Sequence, residues 1–356
     1  MNAPATLRDY SLTGPASGPG FAHAEWYATP IPRTRMKELM KRSDRAGLRD
    51  FGLWAGLTVA SGALLIWVWG TVWAWPVALI YGVLYASGAE SRWHEYGHGT
   101  PMRTRWMNDA IYQLASFMSL KNPVLWRWSH ARHHTDTVIV GRDPEIAFPR
   151  PPSLLAWVLN LLHVVATSKE IWKALRLSLG LLTADQKDFL PESERPKAFR
   201  AARAHVGILV SAGIAAMLIS SWLPLVLIGG PTFYGSWLHH VMATTQHAGL
   251  AEDVPDHRLN SRTVLLNPVF RFIYSNMNYH VEHHMYPMVP FYYLPALHED
   301  IREDCPRAYP SLLAAYREIV PAVIRQQTDF NHYVRRPLPA GAGPTPAYQR
   351  PLIAAE

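Results

Sequence analysis

The chain of 356 residues has almost no cysteine, and Cys305 is its single example. One thiol excludes an intrachain disulfide framework, a cysteine-ligated iron–sulfur cluster and a cysteine-ligated zinc knuckle. It favours a protein whose site faces a reducing compartment. The first 30 residues also lack the apolar core of a secretory signal peptide, so we expect no cleaved export signal.

Charged residues are missing from two long stretches, residues 51–89 and residues 206–238. A single helix over the first stretch would measure roughly 60 Å, about twice the hydrocarbon thickness of a bilayer. Tryptophans and Pro76 interrupt the first stretch near its middle, and a Ser-Ser-Trp-Leu-Pro segment interrupts the second. The sequence therefore predicts two transmembrane hairpins, at about 51–89 and 206–238.

The net charge of +7 does not indicate a nucleic-acid partner, because no helix-turn-helix or RNA-binding signature accompanies it. Seven basic residues lie between Arg33 and Arg49, beside the first apolar stretch, which favours contact with anionic lipid head groups. Both hairpin tips lack Lys and Arg, so the positive-inside rule predicts cytoplasmic termini. Residues 152–167 are marginal in length for a span and are predicted to form an interfacial helix.

Histidine is abundant, with 17 residues, and eight of them form three short motifs. Residues three and four apart share one face of a helix, so each motif can aim two or three imidazoles at one point. Imidazole suits iron, zinc, copper and nickel. The motifs therefore predict a metal site formed by His94, His98, His130, His133, His134, His280, His283 and His284.

Ligand imidazoles need hydrogen-bond acceptors that fix their tautomers and orientation. Several carboxylates lie near the histidine motifs in sequence and are candidates for this role: Glu95, Asp136, Asp143, Glu145 and Glu282. His257 lies outside every motif, so we expect its replacement by Ala to be tolerated.

The motifs HEYGH (94–98), HARHH (130–134) and NYHVEHH (278–284), in that order and with two hydrophobic hairpins, resemble the membrane-bound fatty acid desaturase superfamily. The run NYHVEHHMYPMVPFYYLP looks like its acyl-lipid branch. The resemblance covers about residues 50–300. It implies an all-α integral membrane protein, with four transmembrane helices under a cytosolic helical cap that holds two irons. Around that desaturase domain, residues 33–334, we expect an N-terminal arm (1–32) and a disordered Pro/Gly-rich tail (335–356).

The resemblance implies that the eight motif histidines ligate iron, and that one further histidine ahead of the third motif does so as well. His247 is the expected ninth ligand, and His239 and His240 are the alternatives. Asn278 and Asn276 are candidates for contact with iron through a water. No catalytic residue is expected beyond the metal ligands.

The expected activity is an oxygen-dependent desaturation of a fatty acyl or small alkyl substrate in a bacterial inner membrane, with the active site cytoplasmic. The haem-binding His-Pro-Gly-Gly of a fused cytochrome b5 module does not occur in these residues. An external electron donor is therefore expected: a ferredoxin, a rubredoxin or a cytochrome b5-like protein with its reductase.

Two other functions stay open on the sequence. A hydroxylase could use the same di-iron scaffold, because hydrogen abstraction is common to both reactions. A non-catalytic membrane protein could bind or move metal through its histidines, but a transporter should carry His or carboxylates inside its spans. Neither uncharged stretch contains a histidine.

Overall fold

The computed structural model describes residues 8–13 and 25–346. Over these ranges the chain is helical, with two isolated β-bridges (Thr263 with Tyr279, Val264 with Tyr309) and no β-strand. The prediction of an all-α chain is therefore confirmed for the described residues.

The first hairpin leads directly into the first histidine motif. α1 (Arg33–Leu39) precedes α2 (Asp44–Trp67), which begins where the Ser43 hydroxyl accepts a hydrogen bond from the Ala46 amide. After a turn at Gly70, where φ is +84°, the chain returns as α3 (Ala74–Gly82), a π-helical turn (Val83–Ser87) and α4 (Gly88–Gly97). These three segments form one uninterrupted helical path, so His94 lies at the end of the returning limb.

The second histidine motif lies at the end of a helix with a strong start signal. α5 (Arg105–Met118) packs against α4, and α6 (Pro123–Thr135) follows it. The Asn122 side chain caps α6 by accepting hydrogen bonds from the amides of Val124 (3.2 Å) and Leu125 (3.0 Å). Pro123 occupies the first helical position, where its missing N–H costs nothing.

The segment predicted as one interfacial helix over 152–167 is a bent pair of helices. α7 (Leu154–Leu159) continues as a 3₁₀ turn (Asn160–Leu162), and α8 (Val164–Ser178) leaves it at an angle of 83°. The bend is at His163, whose φ is +50°. α7 exposes Leu155 and Val158 on one side, while Trp157 donates a hydrogen bond to Thr244 on the other. α9 (Ala184–Phe189) follows.

The second hairpin has an intact outgoing limb and a broken returning limb. α10 (Arg195–Leu218) is one long helix, whereas the return consists of α11 (Leu223–Leu227), α12 (Pro231–Tyr234) and α13 (Trp237–His247). Its tip meets the tip of the first hairpin, where the Trp69 indole donates to the Ser221 hydroxyl (3.2 Å). Among the described residues, Arg33–Trp67 and Glu192–Leu218 are long and apolar enough to cross a membrane, and the bent α7–α8 pair would count only as one broken span.

The C-terminal part holds the third histidine motif on a short helix. It contains α14 (His257–Asn260), α15 (Pro268–Ile273), α16 (His280–Met285), α17 (Leu294–Ile301) and α18 (Leu312–Arg325). Val281 of α16 packs in one buried cluster with Leu294 and Leu297 of α17. Tyr279, next to α16, is also held by the bridge to Thr263. The buried cluster and the adjoining bridge hold this helix in place.

The described parts of the N-terminal arm and the C-terminal tail are hydrogen-bonded to the helical domain. Tyr10 donates a hydrogen bond to Glu252 (2.9 Å), and the Trp26 indole donates to the Thr135 carbonyl (3.0 Å). Near the other end, the Gly343 amide donates to Asp304 (3.0 Å). The remaining parts of the predicted arm and tail, 1–7, 14–24 and 347–356, lie outside the described residues.

Candidate metal centre

Helical geometry divides the motif histidines between two clusters. On α6, His130 and His134 are four residues apart and belong to one cluster, while His133 belongs to the other. The third motif is divided in the same way, with His283 on one side and His284 on the other. The first motif contributes to one cluster only, and His247, at the end of α13, contributes to the second. His247 thus occupies in the second cluster the place that the first motif occupies in the first.

The first cluster brings together five imidazoles whose ligand nitrogens all lie within 4.8 Å of one another. The Nε2 atom of His130 is 3.1 Å from that of His98 and 3.1 Å from that of His134. The Nε2 atoms of His134 and His283 are 3.2 Å apart. The complete set is His94, His98, His130, His134 and His283.

The second cluster contains His133, His247 and His284, again within 4.8 Å of one another. His280 adjoins it, with its Nε2 atom 2.9 Å from that of His247 and 3.0 Å from that of His284. The two clusters adjoin, since the ring centroids of His134 and His284 are 4.5 Å apart. The structure therefore brings together all nine histidines that the sequence singled out.

The spacing of these nitrogens fits metal ligation. Two ligand nitrogens about 2.1 Å from one ion and at right angles around it are roughly 3.0 Å apart. The five close Nε2 pairs span 2.9–3.2 Å. Where the Nε2 atoms of neighbouring rings face one another, each neutral ring presents either a lone pair or an N–H at Nε2, but not both. Neighbouring lone pairs are then best satisfied by a shared cation.

Several Nδ1 atoms have acceptors outside the clusters. Glu95 lies 3.0 Å from Nδ1 of His94, Glu145 lies 2.8 Å from that of His130, and Asp143 lies 2.8 Å from that of His133. The Asn260 carbonyl is 2.8 Å from Nδ1 of His247, and the Thr137 hydroxyl is 3.2 Å from that of His284. Such acceptors keep the proton on Nδ1 and leave the Nε2 lone pair facing inward.

Two of the predicted supporting carboxylates have other partners. Asp136 accepts hydrogen bonds from Arg142 (3.2 Å). Glu282 accepts from the Thr263 hydroxyl (2.5 Å) and contacts His298. Proximity to a histidine motif in sequence therefore did not by itself distinguish the carboxylates that reach a clustered imidazole, such as Glu95, from those that do not, Asp136 and Glu282.

The two asparagines near the third motif differ in whether all of their side-chain amide atoms are hydrogen-bonded. Asn278 donates to the Val264 carbonyl (2.8 Å), while its buried Oδ1 atom has no hydrogen-bond partner among the described residues. Asn276 accepts from Arg271 (3.0 Å) and donates to the Phe291 carbonyl (3.0 Å), so both of its amide atoms are used.

The alternative ninth ligands lie outside both clusters. The Nε2 atom of His239 is 3.2 Å from a carboxylate oxygen of Glu90. The Nε2 atom of His240 is 3.1 Å from the Trp157 carbonyl. His247 is the one of the three that joins the motif histidines.

His257 was missed by the sequence reasoning. Its ring is buried, stacks on Trp26 at a centroid distance of 4.4 Å, and lies 5.2 Å from the ring of His284. The expectation that its replacement would be harmless therefore loses its basis, because a truncation here opens space beside the second cluster. No motif spacing marks this residue in the sequence.

Burial keeps most of these imidazoles neutral. It lowers the pKa of His98 to about 4 and that of the neighbouring His257 to about 3, because the charged form loses its hydration. His133 differs: burial acts downward, but the charge and hydrogen bond of Asp143 raise its pKa overall. Burial also raises the pKa of Glu145 to about 7. Neutral imidazole is the form that binds metal.

A cavity of about 440 Å³ opens beside the two clusters. Its walls include His94, His130 and His247, together with apolar surfaces of Trp126 and Trp157. This volume lies within the usual range for a small-molecule pocket. The cavity gives a substrate direct access to the clustered histidines.

A sequence profile of the fatty acid desaturase family matches residues 70–316, which include all three histidine motifs. The chain belongs to the fatty acid desaturase family. It is therefore an oxidoreductase, and the family together with the long apolar helices indicates association with a membrane.

Individual desaturases are distant relatives of this chain. It is 22% identical to an sn-1 oleoyl-lipid 12-desaturase of Synechocystis over 331 residues, 84% of this chain and 88% of that protein. It is 24% identical to a Delta(12)-oleate desaturase of Trichosanthes kirilowii over 285 residues, 69% of this chain and 74% of that protein. An omega-6 fatty acid desaturase of Glycine max, the endoplasmic reticulum isozyme 1, is 33% identical over 93 residues, only 25% of this chain and 23% of that protein.

Proposed function

We propose that this desaturase uses two iron ions, dioxygen and two electrons from an external donor to introduce a C=C bond into a fatty acyl or related alkyl substrate. The observation that carries the proposal is the pair of adjoining clusters of inward-facing imidazole nitrogens. One ion would be held by the five histidines of the first cluster, and the other by His133, His247, His280 and His284.

Iron would supply the activation of dioxygen, which amino-acid side chains cannot provide for an unactivated C–H bond. The chain itself positions the clustered imidazoles and sets which of their nitrogens carries the proton. Glu145 and Asp143 hold the Nδ1 protons of His130 and His133, which orients both rings. The Trp126 ring stacks on His130 at 4.1 Å and shields it from water.

A four-span arrangement in the membrane is supported by the distribution of apolar surface. The spans would be α2, the α3–α4 path, α10 and the broken α11–α13 limb, with both tips on one side and the histidines on the other. Exposed tryptophans surround the tips, as expected at a membrane–water interface: Trp67, Trp73, Trp75 and Trp222. The basic residues from Arg33 to Arg49 favour a cytoplasmic histidine side, where a soluble electron donor could reach the site.

The relatives are named for oleate and oleoyl-lipid substrates, so oleoyl lipids are the first substrates to test. Express the protein in cells, purify it in detergent and measure iron by elemental analysis. Compare the lipids and metabolites of expressing and control cells by mass spectrometry. We expect about two irons per chain and a product lighter by two hydrogens.

His98→Ala should remove both the iron and the product, and His332→Ala, which belongs to neither cluster, should keep both. A product heavier by one oxygen would establish the hydroxylase alternative. Stoichiometric zinc from iron-replete cells, with no turnover after iron reconstitution and addition of a reductase-coupled donor, would contradict a redox enzyme.

A further inference from the structure

A buried acid lies in the cavity wall one helical turn from the metal centre. Glu90 and His94 are four residues apart on α4, so their side chains share one face and their Cβ atoms are about 6 Å apart. Only 3% of Glu90 is exposed. The cavity that Glu90 lines also borders His94, so a ligand in it can reach both side chains.

The Glu90 carboxylate is only half paired. Its Oε2 atom lies 3.2 Å from Nε2 of His239, whereas its Oε1 atom is buried and has no hydrogen-bond partner among the described residues. Lys121 lines the same cavity; its ammonium lies 3.8 Å from Glu170, and although burial acts downward, the charges of Glu170 and Glu90 raise its pKa. Buried polar atoms in native proteins nearly always have a partner, so Oε1 is expected to find one in a bound molecule.

Two further residues that line this cavity, Trp93 and His239, each have a buried polar atom without a hydrogen-bond partner in the part of the chain that the structure describes: the indole N–H and Nδ1. Together with Glu90, these residues offer a carboxylate oxygen as acceptor, an N–H donor and a second imidazole nitrogen. An unsubstituted hydrocarbon chain would cover these atoms and satisfy none of them. A ligand group that donates a hydrogen bond to Glu90, and can accept one from Trp93, matches the wall.

We propose that Glu90, held by His239, binds a hydroxyl or amino group of the substrate. The substrate is then an alkyl or acyl chain that carries a hydrogen-bond donor within a few bonds of the carbon that reacts, and not an unsubstituted fatty acyl chain. This inference rests on the proposed function, because it names the substrate class of the same site. If the Glu90–His239 pair only stabilised the packing of α4 against α13, the protein would bind ligands with and without a hydrogen-bond donor equally.

Three eight-carbon probes test the inference by binding alone. Octan-1-ol and 1-methoxyheptane are isomers, but only the alcohol donates a hydrogen bond, and octylamine provides the amino group. Titrate each into the protein in lipid nanodiscs, follow binding by saturation-transfer NMR, and subtract the signal of empty nanodiscs. We expect the alcohol or the amine to bind about tenfold or more tightly than the ether, the usual effect of a hydrogen bond to a charged group. The two donor arms distinguish a hydroxyl from an amine.

Variants assign the preference to Glu90. Glu90→Leu should remove it, and Glu90→Gln should keep a reduced preference because an amide oxygen still accepts. Glu170→Gln changes an acid that faces the neighbouring cavity and should leave the preference intact. Melting temperature and helical content establish that each variant is folded. If Glu90→Leu does not fold, the test is whether Glu90→Gln shows a reduced preference for the donor probes over the ether.

The inference is overturned if the wild type binds the alcohol, the amine and the ether equally, if neither donor probe binds, or if Glu90→Leu keeps the preference. Lipid mass spectrometry separates this failure from failure of the proposed function. New double bonds in unsubstituted acyl chains, equally abundant with Glu90→Leu, would overturn the inference and leave the desaturase. A donor preference without any new double bond would support the pocket and count against the proposed reaction.

Discussion

At the scale of single residues, the nine clustered histidines differ in what holds their second ring nitrogen. His94, His130 and His133 each have a carboxylate within hydrogen-bond distance of Nδ1. The Nδ1 atoms of His134, His280 and His283 are buried without a hydrogen-bond partner among the described residues. The residues that hold the Nδ1 atoms can therefore be tested separately from the histidines themselves.

Asp143→Asn should weaken iron binding about 10- to 100-fold, the usual cost of losing a partner of a ligand histidine. The Oδ2 atom of Asp143 contacts Nδ1 of His133 and accepts from the Val138 amide, while Oδ1 accepts from the Glu145 amide. Asn has one acceptor oxygen and an NH₂ group that cannot accept, so it satisfies only part of this set. Measure iron retained by folded protein during titration with a chelator. Asp136→Asn is the matched control, since Asp136 is equally buried but pairs with Arg142. Equal iron retention by the two variants would contradict the supporting role.

His247→Ala should lose about half of the bound iron, because His247 belongs to the second cluster alone. His240→Ala should retain the full amount, since its ring is hydrogen-bonded to the Trp157 carbonyl. Elemental analysis of both purified variants against the wild type gives the answer. Full iron in His247→Ala, or a loss in His240→Ala, would reassign the ninth ligand.

At the scale of helices, histidines four residues apart on α6 and α16 join the same cluster, whereas the third histidine of each motif, His133 or His283, joins the other cluster. α4 can deliver its pair because the first hairpin returns as an uninterrupted helix, whereas the return of the second is broken at Gly229, where φ is +81°. The two tips nevertheless meet through Trp69 and Ser221. Both hairpins therefore turn at the same end of the molecule.

Single cysteines should show that the tips and the motifs face opposite sides of the membrane. In a Cys305→Ser background, a membrane-impermeant maleimide should label Val72→Cys and Ile219→Cys in intact cells, because both positions are exposed beside the tips. Lys187→Cys and Glu299→Cys should react only after lysis. Lys187 follows the bent α7–α8 pair, so its labelling from outside would mean that Leu154–Ser178 crosses the membrane.

At the scale of the whole molecule, many imidazoles are buried at one centre, and their neutral state links stability to pH. The pKa of His98 is lowered to about 4 and that of His257 to about 3, chiefly by burial. Below an unfolded-state pKa of about 6.5, these histidines bind protons in the unfolded chain, whereas in the folded protein they stay neutral. Stability is therefore lost as the pH falls from about 6.5 toward the folded-state values.

The melting temperature of the metal-stripped protein should fall between pH 7 and pH 5, as followed by circular dichroism. Each such histidine contributes about 1.4 kcal/mol per pH unit below its unfolded pKa. Burial also raises the pKa of carboxyl groups, that of Glu145 to about 7 and that of Glu252, and these groups act in the opposite direction, but they are fewer than the histidines whose pKa burial lowers. His257→Gln should make the fall shallower. A melting temperature that is unchanged over this range would show that the buried histidines are not held neutral.

The sequence by itself determined what depends on local geometry. The spacing of His130, His133 and His134 defines helix faces over one turn, and the length of residues 51–89 compared with the thickness of a bilayer calls for a hairpin. Both are properties of consecutive residues, so no partner from elsewhere in the chain was needed to predict them.

Only the tertiary structure decided which distant groups meet. It brought Glu145 to His130 and Asp143 to His133 while Asp136 went to Arg142, and it set His257 against His284. It also paired Glu90 of α4 with His239 of α13. These contacts join side chains from separate helices and loops, and they depend on how those elements pack, which the local pattern of one segment does not contain.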